Sequence, residues 1–424
     1  MSMERSKKFP FVPGPAPITI VGGKGSYLHT DDGRRILDGG GGAIVTNIGH
    51  GRPEPGEAAA AAMTGAAYVV PLWATEARLR LIERLQQSWL PEELTRCLFV
   101  SGGSESVDSA MRIARQHHVA KGDIDRWKTI GREISYHGST LATLSAANHD
   151  RRRANLGPML IDMPKADFFD ADSVRKLVES EDPSTVSALV VEPVSGASGG
   201  ALVPPDGYLA GLRSICDDHG ILLICDEVMT GFGRTGKRFG ADHEDVVPDL
   251  LVGGKGLGGG YVPIGGIFAS DHVVEPIAEA DMSVMYFTFS GTDVACAVSE
   301  RVLGIMEDEH LVERAAVMGD RLAALLNEAL ADHPNVSDIR GRGLMQGVEL
   351  VRDRDTGRDF GGALAPLVVG EALSRDCWVY PAGSAGVPDA LLFGPPFTIS
   401  EAELESLVGI AVESIDAAVA SYDG

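Results

Sequence analysis

Lys255 stands in the run Gly253-Gly-Lys255-Gly-Leu-Gly-Gly-Gly, with glycine on both sides, so its amine can approach a ligand closely. Asp226 lies 29 residues earlier and closes the apolar run Ile221–Cys225. That is the carboxyl end of a predicted strand, where open α/β sheets place their ligands. A carboxylate is expensive to bury unpaired there, and a protonated heterocyclic nitrogen would partner it. A third segment, Ser101-Gly-Gly-Ser104-Glu105, follows the apolar Cys97–Val100 and precedes Val107, Ala110, Met111 and Ala114 at helical spacing. The free N–H groups and positive dipole end of that helix suit a phosphate. Ser104 is expected to cap the helix and to donate its hydroxyl to the same anion. Each feature alone has a plain structural explanation. Together they point to a Schiff-base lysine holding pyridoxal 5'-phosphate (PLP).

Three other glycine motifs are weaker. Gly231-Phe-Gly-Arg-Thr-Gly236-Lys237 fits the spacing of a nucleotide phosphate loop, but Arg238 follows where Ser or Thr would hold Mg²⁺. The acidic pair Asp226–Glu227 also precedes it. Gly254-Lys-Gly256-Leu-Gly-Gly259 fits a dinucleotide fingerprint, yet Gly-Tyr-Val-Pro follows instead of a helix. Gly196-Ala-Ser198-Gly-Gly200 fits a nucleophile elbow, but Pro204 and Pro205 stand where its helix should begin.

Composition sets the outer bounds. The 424 residues carry 37 Lys+Arg against 60 Asp+Glu, a net charge of −23, which argues against nucleic-acid binding. Apolar residues at 44% and charged residues at 23% fit a folded globular chain. The five cysteines (Cys97, Cys216, Cys225, Cys296, Cys377) are odd in number and form no C-x-x-C, so free thiols in a reducing cytoplasm are expected. No metal-ligand spacing occurs. No apolar run approaches the length of a membrane span, and no apolar stretch follows the basic residues of the N-terminus.

The elements that must position these residues follow from periodicity. Residues 1–65 are expected to give a Pro-rich arm and a short hairpin pattern at Ile18–Val21, Tyr27–His29 and Arg35–Asp38. From about Leu79 short apolar strands alternate with helices: Cys97–Val100, Ala188–Val191 and Ile221–Cys225 on one side, the helix faces of Val107–Ala114 and Leu209–Cys216 on the other. That alternation predicts a mostly parallel sheet covered on both faces over 66–320. Residues 321–424 mix helices with short strands (Gly347–Val351, Leu391–Phe393) and predict a smaller α+β domain.

The motifs also occur in a familiar order. Phe99-Val-Ser-Gly-Gly-Ser104-Glu105, Tyr136-His137-Gly138, Glu192-Pro-Val194, Leu223-Ile-Cys-Asp226-Glu227-Val228 running on to Gly236, Pro248-Asp249 and Gly254-Lys255-Gly256 resemble the class III (ω-) aminotransferases. The resemblance runs from about Gly33 to Pro396 and takes in Gly49-His50-Gly51 and Arg340-Gly-Arg-Gly-Leu-Met345. It implies the α/β fold of fold type I PLP enzymes, with a seven-stranded sheet in the large domain. It implies that Lys255 forms the internal aldimine and shuttles a proton, and that Asp226 keeps the ring nitrogen protonated. Gly103 and Ser104 would bind the phosphate, with Thr288 reaching it from the neighbouring subunit. Tyr136 and Val228 would flank the ring, with His137 close by. Glu192 would lie near the ring hydroxyl, and Trp73 and Tyr380 would belong to the substrate pocket. A homodimer follows at minimum, with pairing into tetramers left open.

Two positions depart from the family pattern. Many members hold an arginine shortly before a Pro-Pro pair; here the pair is Pro395–Pro396 and Leu392 stands at the matching place, while Tyr380 precedes Pro381 where a mobile arginine occurs in amine–pyruvate members. Neither carboxylate clamp is present, and Gly383–Asp389 is a candidate substrate loop. The resulting expectation is transfer of an amino group from an amine or ω-amino acid to a keto acid or aldehyde by a ping-pong cycle. Aminomutase, epimerase or decarboxylase chemistry on the same scaffold is the alternative. A P-loop-like nucleotide-binding protein and a non-catalytic PLP-fold binding protein are more remote.

Overall fold

Strands whose residues are apolar at every position must be covered on both sides, and such runs recur through the middle of the sequence. The computed structural model describes residue 11 and residues 18–361, 364–384 and 387–423. The Pro-rich arm expected at the N-terminus falls almost wholly outside these residues, as do two positions of the 383–389 loop.

Three short strands open the chain: β1 (Ile20–Lys24), β2 (Tyr27–Thr30) and β3 (Arg35–Asp38), paired antiparallel in that order. Seven strands follow: β4 (Arg96–Val100), β5 (Lys128–Arg132), β6 (Lys165–Ala166), β7 (Val186–Val191), β8 (Leu222–Asp226), β9 (Leu250–Gly253) and β10 (Gly265–Ala269). They form one sheet in the order β4-β10-β9-β8-β7-β5-β6. Only β10 runs against its neighbours, so the sheet is mostly parallel, as the alternation of strands and helices predicts. Successive residues of β7 and β8 serve opposite faces. Ala188, Val190 and Ile224 pack with Val107, Ala110 and Ala114 of helix Gly103–Ala120. Leu189, Val191, Leu223 and Cys225 pack with Leu209, Leu212 and Ile215 of helix Tyr208–His219.

The C-terminal part adds β11 (Val336–Arg342), β12 (Met345–Leu350), β13 (Cys377–Trp378), β14 (Tyr380–Ala382) and β15 (Ala390–Phe393). Four of these make an antiparallel sheet in the order β11-β12-β15-β14, while β13 joins β3 in parallel. The N-terminal hairpin and the C-terminal segment therefore share a sheet. Arg234, fully buried in the loop after β8, ties these parts to the large sheet. It donates to Asn47 Oδ1 (2.9 Å), the Leu344 carbonyl (2.9 Å) and the Pro395 carbonyl (2.7 Å), and lies over the Phe397 ring. No described helix is long and apolar enough to cross a membrane.

Candidate active site

Adjacent parallel strands end side by side, so whatever follows each carboxyl end is gathered on one edge of the sheet. Here β5, β7, β8 and β9 are neighbours, and they lead directly into His137, Glu192, Asp226 and Lys255. The antiparallel β10 separates β9 from β4, after which helix Gly103–Ala120 begins. All five segments line one cleft enclosing about 650 Å³, part of it open to solvent. Gly103, Ser104, Tyr136, His137, Glu192, Asp226, Val228 and Lys255 all contribute to its wall. Thr288, Trp73 and Tyr380 do not.

Asp226 is buried, and its carboxylate is held at both oxygens. His137 Nδ1 lies 2.8 Å from Oδ2, and the Val228 amide donates to Oδ1 at 3.1 Å. The far nitrogen of His137 is buried without a hydrogen-bond partner among the described residues. Glu192 accepts from the Tyr136 amide at 3.1 Å through Oε1, while Oε2 lies 4.0 Å from Arg132 Nη2 and has no hydrogen-bond partner among the described residues. Burial raises the Glu192 carboxyl above the usual range, against the opposing charges of His137 and Arg132. Arg132, itself fully buried, donates to the Glu192 carbonyl at 2.8 Å.

Lys255 opens a single 3₁₀ turn and holds φ at 39°, a left-handed value that costs a non-glycine residue energy. Burial pushes its amine down to about 8, with Asp226 and Glu192 pulling it back up. About a tenth is therefore neutral and nucleophilic at pH 7, far more than for an exposed lysine.

The start of helix Gly103–Ala120 differs from expectation in one respect. Ser104 does not cap it: Gly102, extended at φ 173°, takes the N-cap position without a side-chain cap. Glu105 instead accepts from the Ser101 amide at 2.8 Å. Ser104 lies one residue inside the helix, and its Oγ accepts from the Ser139 amide at 3.0 Å, which leaves its O–H free to donate. A side chain at Gly103 would put its Cβ 2.6 Å from Val228 Cγ1, and one at Gly138 would lie 2.7 Å from Ser104 Oγ. Both glycines are needed by close packing.

The remaining candidates sit elsewhere. Trp73 (68% exposed) and Thr288 are on the surface, as are Tyr68, Leu72, Met285 and Phe289, with the Tyr68 and Phe289 ring centres 6.4 Å apart. Tyr380 pairs with Leu392 across β14 and β15 and packs beside Val194 and Met229, behind the cleft wall. Leu392 is fully buried.

The competing glycine motifs resolve differently. Gly231–Lys237 leads only to a 3₁₀ turn at Gly240–His243, and Lys237 Nζ donates to the Asp242 carbonyl at 2.6 Å. Glu227 turns away from the cleft and accepts from the Gly240 and Ala241 amides, both at 2.8 Å. The Gly196–Gly200 segment has no nucleophile helix after it, yet Gly196 and Ala197 line the cleft and Ser198 is fully buried. Arg152 was also missed. Its guanidinium lies 4.3 Å from the centre of the Tyr136 ring. The sequence signal for it is the triplet Arg151-Arg152-Arg153, 15 residues beyond Tyr136.

Comparison with known proteins converges on one family. The family described as aminotransferase class-III matches residues 12–415. An uncharacterized aminotransferase, YodT of Bacillus subtilis, is 33% identical over 416 residues, covering 93% of this chain and 94% of the relative. A transaminase from the marine bacterium Virgibacillus superposes with a TM-score of 0.92 at 32% identity, covering 98% of each chain. An amine transaminase from an uncultivated Pseudomonas species, solved with PLP bound, superposes with a TM-score of 0.89 at 32% identity, covering 98% of this chain and 99% of that one.

Proposed function

The chain belongs to the class III aminotransferases, PLP-dependent enzymes, and we propose that the cleft at the β7–β9 strand ends is where it exchanges amino groups. The observation that carries this assignment is the convergence of Lys255, Asp226 and Glu192 from three adjacent strand ends around one cavity.

The residues fit a phosphorylated pyridine aldehyde. The cleft offers one amine to condense with an aldehyde, a buried carboxylate, and a helix N-terminus bared by Gly103. Two buried polar atoms, Glu192 Oε2 and His137 Nε2, still lack hydrogen-bond partners among the described residues. When bound, PLP supplies an electron sink for the charge left when a proton leaves the substrate carbon. The chain's own groups do the rest. Lys255 Nζ anchors the cofactor and carries the proton from and to the substrate carbon. Asp226, fixed by His137 and the Val228 amide, holds a proton on the ring nitrogen. Tyr136 and Val228 flank the ring, Gly103 and Ser104 take the phosphate, and Glu192 shapes the side next to the ring hydroxyl.

Thr288 reaches the phosphate of a second copy in this proposal, and Trp73 faces that copy's substrate pocket. Support comes from the exposed Leu72 (75%), Trp73, Met285 and Phe289, large apolar groups that an isolated subunit would leave in water. A homodimer is the smallest assembly that satisfies both residues. Tyr380 borders the substrate side through the Val194 loop. The three-sheet arrangement supports a division into a large unit at 66–320 and a small unit built from 1–65 and 321–424. Five unpaired cysteines support a cytoplasmic setting.

The proposed donor is an amine or ω-amino acid and the acceptor a keto acid or aldehyde. Visible spectra of the purified protein test this. A donor amine added alone should bleach the yellow, lysine-linked cofactor stoichiometrically, and pyruvate or 2-oxoglutarate should restore it. Turnover with no keto acid or aldehyde required, and no bleaching, would indicate a mutase, epimerase or decarboxylase instead.

Gly103→Val gives a check on the phosphate seat. The added bulk meets the short, β-branched Val228 side chain, and overpacking of this kind costs about 1–3 kcal/mol. PLP titration of the apoprotein should show affinity reduced about tenfold or more, with the thermal transition little changed. Unaltered affinity would remove Gly103 from the cofactor site.

A further inference from the structure

We propose that Arg152 is the cation that recognises the substrate carboxylate, in place of the arginines missing at Leu392 and Tyr380. The inference rests on the aminotransferase assignment and adds the residue that sorts amino and keto acids from simple amines and aldehydes.

The need for such a group follows from the charge of the cleft. Its ionisable lining is Glu192, Asp226, His137, Tyr136 and Lys255, with no arginine. A carboxylate entering beside two acidic side chains, with the lysine engaged in the chemistry, would be repelled unless a cation met it.

The other arginines around the cleft are committed. Arg132 is buried beneath Glu192. Arg340 donates to the Gly199 and Gly200 carbonyls and pairs with Asp338 and Glu349. Arg151 pairs with Asp389 at 3.3 Å, and Arg153 donates to Asn148 Oδ1 at 2.7 Å.

Arg152 lies between those last two, in the short helix Asp150–Arg153, and differs from both. It has no carboxylate partner among the described residues. Its guanidinium covers the Tyr136 ring, and Nη1 lies 3.5 Å from the Tyr136 hydroxyl. Stacking on an aromatic face holds a guanidinium plane in place while leaving its edge donors free for a bidentate carboxylate. Tyr136 is itself a wall of the cleft, so the stack holds the fork one side chain away from it. The anchoring of Arg151 on buried Asp389, which also accepts from the Leu364 and Ala365 amides, fixes the helix that presents Arg152. The field of Arg152 already reaches the reacting amine: it is among the charges that lower Lys255.

Single-turnover half-reactions of the PLP-loaded enzyme separate this role from others. The probes are L-alanine and pyruvate, which carry a carboxylate, and 1-phenylethylamine and propanal, which do not. Arg152→Gln should raise the half-saturating concentrations of L-alanine and pyruvate about 10–100-fold, the loss expected for a charge-assisted hydrogen-bonded pair. Values for 1-phenylethylamine and propanal should stay within about twofold. Arg152→Lys should recover part of the lost affinity. Equal losses with all four probes, or no loss with any, would overturn the proposal. So would a tenfold drop in PLP affinity, which would assign Arg152 to the cofactor phosphate. A wild-type protein that exchanges amino groups with none of the probes would instead overturn the aminotransferase assignment on which the proposal stands.

Discussion

Lys255→Ala should fold, bind PLP reversibly and turn over at least about 10⁴-fold more slowly than the wild type. Two functions vanish with one amine, the covalent hold on the cofactor and the proton transfer at the substrate carbon. Nothing nearby replaces it. The other cleft groups that ionise are two carboxylates, a histidine tied to Asp226, and a tyrosine under a guanidinium. The strained φ of 39° at Lys255 is the kind of cost a fold retains for function, and alanine at that position keeps the backbone problem while removing the benefit. Small primary amines in the buffer should restore part of the rate, since the missing group is a base of ordinary size. Steady-state rates with and without such an amine check this. Activity within tenfold of the wild type would place the chemistry on another residue.

Asp226→Asn should reduce turnover about 10²–10³-fold while leaving the yellow form able to develop. The substitution keeps the shape of the side chain and the contact with the Val228 amide. It removes the negative charge that holds a proton on the ring nitrogen, and without that proton the ring is a poorer sink for electrons. The variant carries a second, independent signature. In the wild type the Asp226 charge raises the Lys255 amine and partly offsets its burial, which brings it down to about 8. Loss of that charge favours the neutral amine. The pH dependence of PLP uptake by the apoprotein should therefore shift downward, with the plateau reached at lower pH than in the wild type. An upward shift, or none, would show that Asp226 does not face Lys255 electrostatically in solution.

Much of this architecture is legible from sequence because its central strands are extreme. Val186–Val191 and Leu222–Asp226 are buried at every position, and only a sheet covered on both sides explains such runs. Strand ends then locate Glu192 and Asp226, while Lys255 is marked by the glycines on both sides of it. Contacts made across the fold are another matter. Ser104 looks like an N-cap because serine commonly is one, yet Gly102, two residues earlier, takes that position, and Gly103 lies against Val228. The Gly196–Ala197 wall carries no chemistry in its residue types and becomes part of the site only through packing on Met229. Arg152 sits in a basic triplet that reads as a solvated face. Its distinction from Arg151 and Arg153 lies in their partners, Asp389 and Asn148, and one of those is more than 200 residues away in the chain. Thr288 and Trp73 show the opposite limit: one subunit leaves them on the surface, and the role proposed for them needs a second copy.

The central claim is that Lys255 is the residue that holds the cofactor, and borohydride reduction followed by peptide mass spectrometry tests it most directly. Reduction makes the lysine–cofactor bond permanent. The account predicts one labelled site per chain, in the peptide containing Gly254-Lys255-Gly256. A label on any other lysine, or a PLP-saturated protein that takes up none, would contradict it.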